Sequence, residues 1–135
     1  MTKEELREYR DLAAYIRELE DKLLELESQA MRITTVIKQD MVDSSGSKDK
    51  LADSVAKIVE VQNLINDKIG TLKQKERKVL DTIKALSTKE QRIFYLRYVK
   101  GYKWERVAVE TGYCWAQTHR IHGKCLKELS KQAIE

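Results

Sequence analysis

The stretch LSTKEQRIFYLRYVKGYKWERVAVETGYCWAQTHRIHGKCLKEL, Leu86–Leu129, decides how this chain is read. Ser87-Thr88-Lys89-Glu90 has the form of a capping box, in which a hydroxyl and a carboxylate satisfy the free amides that open a helix. Ile93, Phe94, Leu96, Tyr98 and Val99 follow on a first amphipathic helix. Lys100-Gly101-Tyr102 ends it, because glycine accepts the positive φ of a helix stop. Trp104, Val107 and Ala108 mark a short second helix, and Gly112-Tyr113 a tight turn. A third helix is expected over 114–132, with Thr118, Ile121, His122, Cys125 and Leu129 on one face. A short helix, a glycine turn and a basic helix in this order predict a helix-turn-helix, whose last helix is suited to the major groove of DNA.

The charge distribution points the same way. The 135 residues carry a net charge of +4. Residues 1–86 are close to neutral, so the basic excess lies in residues 87–135, as neutralisation of phosphates requires. With 36% charged residues, no proline and 5 glycines, the chain has few helix breakers, and an all-α fold is expected. No secretion signal and no apolar run of membrane-spanning length is visible, so a cytoplasmic protein with no membrane contact is expected. Cys114 and Cys125 would lie roughly 16 Å apart along one helix, too far for an internal disulfide, which fits a reducing compartment.

Upstream of this stretch the sequence is organised in heptads. Tyr9, Ile16, Leu23, Ala30 and Ile37 recur every seven residues, with Leu12, Leu19, Leu26 and Ile33 on the companion track. Thr2-Lys3-Glu4-Glu5 offers a capping box at the start of this helix. Asp43-Ser44-Ser45-Gly46-Ser47 reads as a turn, with Ser47 and Asp49 as alternative caps for the next helix. A second stripe follows in Leu51, Ile58, Ile65, Leu72, Val79 and Leu86, with Val55, Ile69 and Ile83 beside it. Gln62 and Glu76 interrupt that companion track, and Gly70 weakens the helix by about 1 kcal/mol relative to alanine while allowing a bend or close contact. Residues 1–86 are therefore expected to form a long antiparallel coiled-coil hairpin, a scaffold or oligomerisation element, and residues 87–135 the helix-turn-helix domain. A homodimer is the expected assembly, because two-fold DNA readers pair half-sites; closure of the seams within one hairpin is the alternative.

The residues expected to touch DNA follow from the third helix. Its packed face leaves Trp115, Ala116, Gln117, His119, Arg120, Gly123 and Lys124 outside or at its leading end. Gln117 suits an adenine edge and Arg120 a guanine edge. Lys103, Lys124 and Lys127 suit phosphates, which set register without reading sequence. Trp115 suits either stacking on a sugar or thymine methyl, or anchoring of the turn.

Ile93-Phe94-Tyr95-Leu96-Arg97-Tyr98, Trp104-Glu105-Arg106-Val107-Ala108, Gly112-Tyr113-Cys114 and Arg120-Ile121-His122-Gly123-Lys124-Cys125-Leu126 together resemble region 4 of bacterial sigma factors. The whole chain resembles small phage and prophage transcriptional regulators with a sigma-region-4-like C-terminus, the ArpU- and RinA-type late-gene activators. The resemblance is most specific over about the last 45 residues. It implies promoter reading by the third helix through Trp115, Gln117, His119 and Arg120, with RNA polymerase as a further partner. Cys114 stands where a serine commonly opens that helix, and Cys125 where an alanine is common.

Competing chemistry is weaker. His119, His122 and Cys125 step by three, with Cys114 upstream, and could ligate zinc, but such steps rotate around the helix and no second ligand cluster accompanies them. A Cys–His nucleophile would lack an orienting third residue, and there is no glycine-rich phosphate loop. No enzyme, metal or cofactor is expected. The alternative from another class is a coiled-coil adaptor whose C-terminal three-helix unit binds a protein.

Overall fold

The computed structural model describes residues 1–40 and 45–134. Its elements are α1 (Lys3–Asp40), α2 (Ser45–Lys84), α3 (Thr88–Phe94), α4 (Trp104–Thr111) and α5 (Trp115–Ile134), and α3 continues into a π-helical turn, Tyr95–Val99. There is no strand among the described residues, and none of their helices is long and apolar enough to cross a membrane. The fold is thus all-α, with two long helices packed as a hairpin and a helix-turn-helix after them. Of the expected turn, Asp43 and Ser44 lie outside the described residues; α2 already includes Ser45, so neither Ser47 nor Asp49 starts it.

The chain divides into two compact units, one formed by Tyr15–Gly70 and the other by Met1–Ala14 with the chain from Thr71 onward. In the first, the heptad stripes meet: Ile16, Leu26 and Ile65 are buried, and Leu19, Leu23, Ala30, Ile33, Ile37, Leu51, Ile58 and Ile69 are half-buried. Val55 is the exception, 48% exposed despite its place on the companion track. Leu24 and Met31 lie off the stripe and are exposed at 62% and 72%. Gly70 is exposed, and a Cβ there would meet nothing within 4 Å, so no close helix contact explains it.

In the second unit the C-terminal helices share one core with the ends of the long helices. Leu6 and Tyr9 of α1, Val79 and Ile83 of α2, Ile93 and Phe94 of α3, Tyr98, Val107 of α4, and Cys125 and Leu129 of α5 form it. Each large aliphatic or aromatic side chain buried here contributes about 1.5–3 kcal/mol. The core therefore crosses the 86/87 position at which the sequence pattern changes. Exposed ion pairs flank it, Lys78–Glu5 at 2.7 Å and Lys75–Glu8 at 3.4 Å, each worth at most about 1 kcal/mol.

The helix starts differ in detail from the expected capping boxes. At α1 the Glu5 amide donates to the Thr2 hydroxyl at 3.2 Å, while the Glu5 carboxylate turns to Lys78. At α3 the box is not formed: the Ser87 hydroxyl donates to Glu90 Oε1 at 3.0 Å and caps no amide. The junction is held instead by Gln91, whose Nε2 donates to the carbonyls of Leu86 at 2.9 Å and Lys84 at 3.2 Å. These are carbonyls that the end of α2 would otherwise leave unpaired.

Candidate nucleic-acid interface

The geometry of α5 is set by the turn before it. Gly112 sits at φ 77°, ψ 9°, and its amide donates to the Ala108 carbonyl at 2.9 Å, closing α4 in the left-handed conformation that glycine tolerates best. Cys114 is the cap of α5 and not its first residue: its Sγ accepts from the Gln117 amide at 3.4 Å. Its carbonyl accepts from both the Thr118 amide and the Thr118 hydroxyl at 3.0 Å. The thiol thus takes the place of the usual capping hydroxyl with a longer, weaker bond.

That start fixes the rotation of the helix. Thr118, His122, Cys125 and Leu129 are buried. Ala116, Gln117, Arg120, Lys124 and Lys127 are exposed on the opposite side, and Lys131, not among the expected contact residues, extends their stripe. Lys103 is exposed just ahead of α4. None of Lys103, Arg120, Lys124, Lys127 and Lys131 enters an ion pair among the described residues. The outer side of α5 is therefore a row of cations outside any ion pair, with exposed Glu128 beside Lys124 and Lys131 and an amide side chain, Gln117, near its leading end.

Two expected contact residues belong to an aromatic ladder as well. His119 is half-buried between Trp115 and Trp104, with ring centroids 4.0 and 4.4 Å away, and its Nε2 is enclosed without a hydrogen-bond partner. Trp115 keeps 54% of its surface exposed while stacking on that ring. It thus both anchors the start of α5 and keeps about half of its surface open to solvent. Trp104 also meets His122, edge-on at 4.6 Å.

The titratable groups beneath the stripe are packed rather than poised. His122 Nε2 and the Tyr98 hydroxyl share a 2.5 Å hydrogen bond. Burial, reinforced by the positive charges of Lys3, Arg97 and Arg7 and by His119, lowers the His122 pKa to about 4 and keeps the ring neutral. Burial likewise pushes Tyr98 up to about 12. Burial, then a hydrogen bond with Glu90, raises the Cys125 thiol well above its ordinary range, so this cysteine is an unreactive core residue. Both cysteines are free. Among the described residues, no group of three or more His, Cys, Asp or Glu side chains is placed to hold a metal ion.

No protein-family model, curated protein or solved structure matches the chain.

Proposed function

We propose that the chain is a sequence-specific DNA-binding transcriptional regulator of the phage or prophage type, reading promoter DNA with α5. The observation that carries this reading is the exposed stripe of Ala116, Gln117, Arg120, Lys124, Lys127 and Lys131 on the last helix of a helix-turn-helix, opposite a buried face. Lys124, Lys127 and Lys103 neutralise phosphates and set register. Arg120 and Gln117, nearer the leading end, take base edges in the major groove. Trp115 presents its exposed surface to sugar or thymine methyl. His119 acts on this surface through the ladder, by holding Trp115 and Trp104 in place.

The hairpin of α1 and α2 brings two copies together, so that the bound sites are paired half-sites. Light scattering that gives a single 15.8 kDa particle at high concentration would remove this part of the proposal. A protein-binding reading is favoured by one observation: Val109, on the outer side of α4, is 80% exposed, as an apolar contact for a partner such as RNA polymerase would be. A mobility shift with duplex DNA at rising salt separates the two readings. DNA binding gives a shift that weakens steeply with salt, and a purely protein-binding module gives no shift.

A further inference from the structure

A second cationic feature lies within the unit that holds the C-terminal helices. Lys3, Arg7 and Arg10 follow one another at helical spacing on α1 and line a cavity of about 460 Å³ with Asp11, Arg97, Tyr98, Trp104, His119 and His122. Its volume falls in the range of small-ligand sites. Four of its lining side chains are cations and only Asp11 is acidic. Among the described residues, Lys3, Arg7, Arg10 and Arg97 enter no ion pair. Arg10 Nε is enclosed without a hydrogen-bond acceptor. Arg97 has one neutral acceptor, the Tyr102 carbonyl at 3.0 Å, and lies 4.6 Å from the Trp104 ring centroid.

This clustering of cations is unfavourable in itself. Like charges in a recess repel, and a buried guanidinium nitrogen without an acceptor loses its hydration with no return. Burial, and after it the charge of the Arg10 guanidinium, push Arg97 below its ordinary pKa. An anion with several acceptor oxygens removes both penalties. Guanidinium forks match phosphate oxygens in geometry, and ammonium adds a point charge. The Trp104 ring is already engaged by Arg97, His119 and His122, so the pocket recognises the phosphate group rather than stacking a base.

We propose that the cavity lined by Lys3, Arg7, Arg10 and Arg97 is a binding site for a phosphate-bearing anion. The site itself does not depend on the DNA-reading role of α5, and only a duplex source of its phosphate rests on that role. Its phosphate comes either from a free phosphorylated ligand or from the backbone of a bound duplex.

The test uses the full chain and inorganic pyrophosphate as probe, followed by calorimetry and by the melting temperature at constant ionic strength. The wild-type protein is expected to bind and to melt higher with pyrophosphate than with chloride. Arg10→Gln and Arg7→Gln are each expected to weaken binding about tenfold or more, the loss of one charge-assisted hydrogen bond. They should leave the melting temperature without pyrophosphate unchanged or raised, because a repulsive charge has gone. This distinguishes lost recognition from lost folding. Pyrophosphate that displaces labelled duplex assigns the site to backbone phosphate, and pyrophosphate that binds alongside duplex assigns it to a free ligand. Failure of pyrophosphate to bind the wild-type protein, or equal binding by both variants, overturns the proposal. Loss of duplex binding by Arg120→Ala would leave this result untouched, so the two proposals fail separately.

Discussion

Mild acid should destabilise this protein through His122. The ring is buried and neutral, bonded to Tyr98 and packed 5.2 Å from the Phe94 ring, with Lys3, Arg7, Arg97 and His119 adding to the cost of a positive charge. Its pKa falls from 6.5 to about 4 on folding. The unfolded chain therefore takes up a proton that the folded chain refuses. The stability is complete above the unfolded value of 6.5 and is lost progressively as the pH falls from there to about 4. Linkage over these values gives a loss of about 2 kcal/mol between pH 7 and pH 5. Discounting for residual water at the site leaves about 1–2 kcal/mol, or about 3–8 °C in melting temperature for a chain of this size. Glu5, whose carboxyl is held low chiefly by its hydrogen bond to Lys78, works in the same direction but loses its proton-free form only at more acidic pH. The window from 7 to 5 therefore isolates the histidine. The assay is urea unfolding at pH 7, 6 and 5, on the wild-type protein and on His122→Gln. Glutamine cannot titrate and can still bond the Tyr98 hydroxyl in either role. Its stability should be flat across the window. A wild-type protein that is equally stable at pH 7 and 5, or a glutamine variant that falls as steeply, would refute the reasoning.

Three further outcomes follow from local geometry. Gly112→Ala should cost about 1–2 kcal/mol, because φ of 77° penalises a Cβ even though the space around it is open; urea unfolding checks it. Gly70→Ala should raise stability by about 0.5–1 kcal/mol, since the site is helical with nothing within 4 Å of the new methyl group, and a fall in melting temperature would show that a contact has been missed. Phe94→Ala should cost about 3–5 kcal/mol, because Phe94 is fully buried and touches both Tyr98 and His122; near-UV circular dichroism and unfolding together would register it.

The sequence made the fold legible wherever one periodicity ran unopposed. The heptads of α1 and α2 specified long helices because most seam positions were apolar over several turns, with Gln62 and Glu76 the interruptions in α2, and Gly101 and Gly112 marked the stops of the shorter C-terminal helices because each takes a φ that other residues avoid. The inward face of α5, with Thr118, His122, Cys125 and Leu129, followed from the same spacing. Other features depended on groups distant in the chain. Glu5 has a choice between the Thr2 amide and Lys78, and only tertiary packing decides it. Ser87 meets Glu90 side chain to side chain, and Gln91 takes over the junction, a bond no capping pattern foretells. The π turn at Tyr95–Val99 has no signature in its composition. The cavity lined by Lys3, Arg7, Arg10 and Arg97 had no signal in the sequence, because Arg97 and the Trp104 ladder reach the α1 cations only through tertiary packing. His119 was placed outside by its spacing, yet two tryptophans from different elements enclose it.

Whether α5 reads DNA is decided by the binding of duplexes selected from a random-sequence pool. Wild-type, Arg120→Ala and Lys124→Ala proteins would each be titrated against a selected duplex and its scrambled counterpart at several salt concentrations. The wild-type protein is expected to show a clear preference for the selected duplex and a salt slope of about −3 per bound copy if Lys103, Lys124 and Lys127 each meet a phosphate. Arg120→Ala is expected to lose about 1–3 kcal/mol of specific binding and to relax the preference at one base pair. Lys124→Ala should weaken both duplexes alike and make the slope shallower by about one unit per bound copy. Selection that enriches no sequence, or an Arg120→Ala protein that folds and discriminates as the wild type does, would contradict DNA reading by α5.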